Sequence, residues 1–215
     1  MIYVFEHTPP AAMLDQPSST VDPAPPSVWV LGFAGHRNLV NPALIGSSIR
    51  QALLEFVDRV DGRIIGKASA ASGSDLLFLE ACRDADLDYA VVLPFPEDRF
   101  RQDFDSPAIW ARAKDLIDGA ASVEIVPGLA VAPSAYQLAA RVVLNTVDAM
   151  LFVWDGQPAR GVGGTGESVL EAQARALPLW IIDAQDGRLW PFENTPTKAV
   201  GHGNHFEINL KEPLR

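Results

Sequence analysis

Ser27–Phe33 reads SVWVLGF and runs into Gly32–Arg37, GFAGHR. A short apolar run rich in branched side chains marks a strand buried on both faces, because such a strand has no solvent side toward which to alternate. Downstream, Asn41–Val60 opens with Asn and Pro at cap-like positions and sets Leu44, Ile49, Leu53, Leu54 and Val57 at helical spacing, which predicts a crossover helix. Gly62–Ser69 (GRIIGKAS) is a second strand, followed by AASGSD and a helix over Ser74–Ala85. Tyr89–Leu93 (YAVVL) is a third strand, broken by Pro94 and Pro96, which cannot donate to a ladder. Phe100–Ala121 reads as one helical region with an Asp/Arg-rich surface face, leading to Ser122–Val126 (SVEIV). A helix over Ala135–Thr146, a buried strand over Ala149–Trp154, a helix over Gly166–Ala176 and a last core strand over Pro178–Asp183 complete the series. Strands alternating with helices predict an α/β fold, a doubly wound and mostly parallel sheet with helices on both faces.

The expected domain covers residues 27–185. Before it, Pro9–Pro26 (PPAAMLDQPSSTVDPAPP) holds six prolines, and prolines restrict φ and remove donors, so residues 1–26 read as an extended linker. The linker is preceded by a short β-like stretch, Met1–His7, suited to a sheet edge or a neighbouring subunit, or simply an ordered tail. Residues 186–215 have no clear period and read as a wrapping tail. No internal repeat is present.

The chain has 215 residues, with 17 basic against 27 acidic side chains and a formal net charge of −10. That balance argues against a non-specific hold on a nucleic-acid backbone and for a small-molecule ligand, while leaving room for a local basic pocket. The single cysteine, Cys82, excludes an intramolecular disulfide, a Cys-rich zinc site and cysteine-pair redox chemistry. No run approaches the roughly 20 apolar residues that span a bilayer. Glu6, Asp15 and Asp22 interrupt the N-terminal stretch and no Lys or Arg precedes Arg37, so a secretion signal is not expected. The expectation is a cytoplasmic protein without membrane attachment.

In a parallel sheet with right-handed crossovers, the segments that follow the strands share one edge. Four carry polar or glycine-rich chemistry: Gly32–Arg37, Ala71–Asp75 (ASGSD), Pro94–Asp98 (PFPED) and Asp155–Glu167 (DGQPARGVGGTGE). The first is no GxGxxG fingerprint, and GVGGTG lacks the Lys-Ser/Thr of a Walker A loop. Gly163, Gly164 and Thr165 nevertheless stand between a strand and a helix, where backbone N–H groups and the helix dipole favour an anion. Gly35, His36 and Arg37 would add a ring and a guanidinium fork that matches phosphate; a surface ion pair and a helix cap are the plainer roles for Arg37 and His36. Gly73, Ser74 and Asp75 would either hold a ribose hydroxyl or cap the helix that begins there. Asp155 would orient the glycine loop. Arg141, flanked by apolar residues, needs an anion or a paired carboxylate. Glu167 sits in a first helical turn, as a cap or as a catalytic group. His202 and His205 are too few to hold a metal, and neither a metal nor a cofactor is expected.

Taken in order, GFAGHR, ASGSD, VVLPFPEDRF, DAMLFVWDG, GVGGTGE and PLWII resemble the SLOG superfamily, the Rossmann-like group that includes the LOG phosphoribohydrolases, Smf-like domains and nucleotide-sensing bacterial domains. The resemblance spans about Ser27 to Asp183 and implies a pocket for a nucleotide or nucleotide-derived ligand in a homodimer, with the glycine loop at the phosphate. LOG enzymes carry PGGxGTxxE with a catalytic Glu; here aligning Gly164-Thr165 puts Ser168 at that place. DAMLFVWDG followed by GGTGE is also similar to nucleoside deoxyribosyltransferases, and Glu167 matches their nucleophile. The resemblance therefore implies a nucleotide binder, with an N-glycosidic-bond enzyme using Glu167 as the alternative.

Overall fold

The computed structural model describes residues 27–127, 132–159 and 163–190. The Met1–His7 stretch, the Pro9–Pro26 linker, Arg160 and His202 and His205 lie outside them. In chain order the elements are β1 (Val28–Gly35), α1 (Pro42–Arg59), β2 (Arg63–Ala68), α2 (Ser74–Asp84), β3 (Asp88–Leu93), α3 (Glu97–Phe100), a 3-10 turn (Arg101–Asp103), α4 (Pro107–Asp118), β4 (Ser122–Ile125), α5 (Ala132–Asn145), β5 (Ala149–Trp154), α6 (Thr165–Ala174), β6 (Leu179–Asp183) and β7 (Leu189–Trp190).

The strands form one sheet in the order β4-β3-β2-β1-β5-β6-β7. Every neighbouring pair is parallel except β6 with β7. This is the doubly wound, Rossmann-like arrangement, and its order reverses between β1 and β5. Their register pairs Leu31 with Ala149 and Gly35 with Val153, and the His36 N–H extends the ladder to the Val153 carbonyl at 3.1 Å. The residues just past both strands are thereby brought side by side.

Alternation along the strands builds two cores. Leu31 and Phe33 of β1 pack on α1 and α2, with Phe33 stacked on Phe78 at 4.6 Å between centroids and Phe56 edge-on to Trp180 at 5.4 Å. On the opposite face Met150 and Phe152 meet Ala139 and Val143 of α5 and Val169 of α6. Burial of these apolar surfaces is the main favourable term in folding.

The single helical region expected over Phe100–Ala121 is divided. Ser106 takes an extended conformation, its hydroxyl accepts the Ile109 N–H at 3.2 Å, and Pro107 occupies the first helical position. Ser-Pro is a strong helix start, and it restarts the chain as α4 after a short break. Leu189–Trp190, in the stretch where no period is legible, adds a two-residue antiparallel strand to β6.

Cys82 is wholly buried beneath β2, and burial pushes its thiol up to about 12. Since thiolate is the reactive form, the native protein will resist an aromatic disulfide reagent at pH 8 and release one thiol equivalent per chain only in denaturant. Rapid labelling under native conditions would contradict this packing.

Candidate functional site

A cleft of about 720 Å³ opens at the reversal between β1 and β5. Its walls come from the β1 loop (Gly35–Asn38), the β5 loop (Asp155, Gln157–Ala159), the start of α6 (Gly163–Gly166), Tyr136 of α5, and Ala184 and Gln185 after β6. Of the candidates read from the sequence, Gly35, His36, Arg37, Asp155, Gly163, Gly164 and Thr165 line it.

The β1 turn is held from behind by α2. The His36 carbonyl accepts both the Ser74 N–H at 3.1 Å and the Ser74 hydroxyl at 2.9 Å. The approach is so close that a Cβ on Gly35 would lie 2.3 Å from Ser74 Oγ, and one on Gly73, at φ +91°, would lie 2.1 Å from the Arg37 carbonyl oxygen. Only glycine fits at either place. Gly73, Ser74 and Asp75 therefore support the cleft and are not among its lining residues.

Asp75 is buried below this turn and accepts the Ala71 N–H at 3.2 Å, with the Ser69 and Gly35 N–H groups and the Arg37 charge also favouring its anion. Desolvation outweighs them and raises its carboxyl from 3.8 to about 7. The group thus ties the β1 and β2 loops together.

His36 Nε2 faces two atoms of one residue: it lies 3.1 Å from Asp155 Oδ1 and 3.2 Å from the Asp155 N–H. A neutral ring accepts from the N–H, and a protonated ring donates to the carboxylate, so either state of the imidazole is satisfied here. Asp155 Oδ1 also accepts the Gln157 N–H at 3.0 Å, and Trp154 Nε1 donates to the Gln157 carbonyl at 2.8 Å. These bonds set the direction in which the loop leaves β5.

At the start of α6, Glu167 turns back. Its Oε2 accepts the Gly163 N–H at 2.9 Å and Gln137 Nε2 at 3.3 Å, a variant of the capping box. The carboxylate is not among the cleft-lining groups, and its charge offsets part of the positive helix end. Arg141 does not line the cleft either. The buried face of α5 runs through Ala135, Ala139 and Val143, leaving Arg141 half-exposed with Nε 3.6 Å from Glu171 Oε2. Among the described residues no group of three or more His, Cys, Asp or Glu could hold a metal, and no helix is long and apolar enough to cross a membrane.

Tyr136, absent from the sequence-based candidates, is a main wall of the cleft. The Arg37 guanidinium carbon lies 4.5 Å from its ring centroid, a cation–π distance. The available signal was its place at the second residue of the helix expected over Ala135–Thr146.

No family model matches the chain, and no curated protein matches it in sequence. Among solved structures, DNA processing protein A (DprA) from Streptococcus pneumoniae superposes with a TM-score of 0.53 at 12% identity, over 72% of this chain and 50% of that one. This chain thus spans about half the length of that protein. A Helicobacter pylori DprA, described for its single-stranded DNA binding mode, gives a TM-score of 0.48 at 17% identity over 74% and 69% of the two chains. A structural-genomics target, TM1055, gives 0.44 at 15% identity over 70% and 72%. What is shared is the Rossmann-like fold. One expectation is corrected by this: the argument against non-specific nucleic-acid binding does not stand, because the fold is shared with a DNA processing protein. Net charge sums over all faces and does not describe the one that meets a ligand.

Asp75 gives a pH dependence with a defined sign. Between about pH 4 and 7 the native carboxyl keeps a proton that the unfolded chain has lost, so stability is greatest on the acid side and falls as pH rises through that window, levelling above it. Asp75→Asn, which mimics the protonated acid, will flatten this fall. Urea midpoints at pH 5 and pH 8 check it; parallel behaviour of wild type and variant would remove Asp75 as the cause.

Proposed function

We propose that the cleft binds a nucleotide or nucleotide-derived ligand. The observation that carries this reading is the convergence, at the β1/β5 reversal, of Arg37, the His36–Asp155 pair and the first turn of α6 in one cleft. Ligands of open α/β sheets enter where the strand order reverses, because the two adjoining loops diverge there and leave a crevice. Arg37 supplies a fork for a phosphoryl group. The Thr165 and Gly166 N–H groups, at the first two positions of α6, precede its first intrahelical bonds and favour the same charge. Asp155 and His36 offer acceptor and donor positions suited to sugar hydroxyls, and Pro158, Ala159 and Ala184 offer apolar area for a base.

Binding is favoured over N-glycosidic chemistry by the position of Glu167. A glycosidic nucleophile has to reach the anomeric carbon, and this carboxylate is instead committed to the Gly163 N–H and Gln137. Ser168 is buried and cannot take the place of a catalytic acid.

A thermal-shift series over mononucleotides, dinucleotides, ADP-ribose and short single-stranded oligonucleotides tests the reading. A ligand at 100 times its Kd adds about 2.7 kcal/mol of stability, and Arg37→Ala will weaken a phosphate-bearing ligand by about 1.5–3 kcal/mol. A response to oligonucleotides alone, or one untouched by Arg37→Ala, would overturn the small-ligand assignment to this cleft.

A further inference from the structure

Arg37 rests on Tyr136, and Tyr136 belongs to a closed ring of four side chains that reaches well outside the cleft. The Tyr136 hydroxyl donates to Asp103 Oδ2 at 2.6 Å, and Arg99 Nη1 donates to Asp103 Oδ1 at 2.7 Å. The Arg99 guanidinium carbon stands 4.5 Å over the Phe95 ring, and Phe95 meets Tyr136 edge-on, with centroids 5.9 Å apart at 88°. Five side chains from the β1 loop, the β3 loop, α3, the 3-10 turn and α5 thus fix one another, and of these only Arg37 and Tyr136 line the cleft.

The charges in this ring are arranged to one end. Asp103 is neutralised by Arg99 and reaches Arg37 only through a phenol, so the ring orients Arg37 without cancelling its charge. Burial and the bond to Asp103 push the Tyr136 hydroxyl up to about 12, which keeps the phenol neutral at physiological pH. The guanidinium stands over the aromatic ring and also favours its hydroxyl, which leaves further N–H groups for a phosphoryl oxygen, and a side chain already ordered loses less rotamer freedom when it binds.

We propose that Asp103 is a positioning residue of the site: through the Tyr136 hydroxyl it holds the ring on which Arg37 rests, and so presets Arg37 for the phosphoryl group of a nucleotide. The proposal rests on the nucleotide reading above and adds the residue that gives phosphorylated ligands their advantage over unphosphorylated ones.

The test compares AMP with adenosine by calorimetry on the full chain, so that the ratio of their affinities reports the phosphoryl contribution alone. Asp103→Asn is expected to lower that ratio about tenfold, equivalent to about 1.4 kcal/mol, with adenosine affinity unchanged, and Tyr136→Phe is expected to lower the ratio in the same direction. In an Arg37→Ala background Asp103→Asn is expected to do nothing further, as a double-mutant cycle requires of a residue acting through Arg37. Equal loss for both ligands, or an effect that persists without Arg37, overturns the proposal. A readout independent of ligand is the order parameter of the Arg37 Nε–H group by nitrogen-15 relaxation: it should be high in the wild type and fall in Asp103→Asn and Tyr136→Leu. Arg37 mobility that these changes leave unaltered overturns the positioning role by itself, whereas binding of neither AMP nor adenosine overturns the nucleotide reading and the phosphoryl role with it.

Discussion

The site depends on a backbone approach: α2 begins directly behind the end of β1, with the His36 carbonyl taking two donors from Ser74. This contact needs a glycine on each side, Gly35 and Gly73, because any side chain would occupy the neighbour's atoms. Its consequences spread outward. His36 is held at the end of β1 within reach of Asp155, Arg37 is directed toward α5, and the Ser74 N–H at the start of α2 is spent on the protein rather than on a ligand. One of the four loops that share this edge has therefore become scaffold.

The same edge shows how acidic groups serve a cationic side chain in a chain that is acidic as a whole. Asp75 lies beneath Arg37, Asp103 is separated from it by a phenol, and Asp155 faces His36. Only the first of these carboxyls is deeply buried, and its raised pKa keeps it largely uncharged at mildly acidic pH. Arg37 consequently reaches the cleft resting on the Tyr136 ring, with none of these three carboxyls in an ion pair with it. Net charge could not have revealed this arrangement, which is set by distances of a few ångströms.

The fold was legible because its signals are local. Buried parallel strands announce themselves as short apolar runs such as AMLFVW, and the rule that loops follow strands to one edge was enough to bring GFAGHR and the GGTG segment together on paper. What was not legible required knowing which face of a helix turns inward. Tyr136 reads as one more apolar residue until α5 is placed against the β1 loop. Arg141 misleads in the opposite sense: its sequence neighbours Ala140 and Val142 are apolar, but successive helical residues point about 100° apart, so neighbours in sequence do not share its face. Glu167 shows a third limit, since a first-turn carboxylate can face the ligand or fold back to its own loop, and that choice depends on Gln137, thirty positions away in the chain.

The sheet ends, among the described residues, on β4 with four residues and β7 with two. An edge strand is a template on which a foreign chain can polymerise, and its recruiting power grows with the length of its unpaired row of backbone groups. β4 exposes Val123 and Ile125 but keeps Glu124 between them, ion-paired to Lys67. A protein that is 48% hydrophobic and built around a mostly parallel sheet thus gives an aggregating neighbour little to extend: one border is brief and carries a charge, and the other is briefer still.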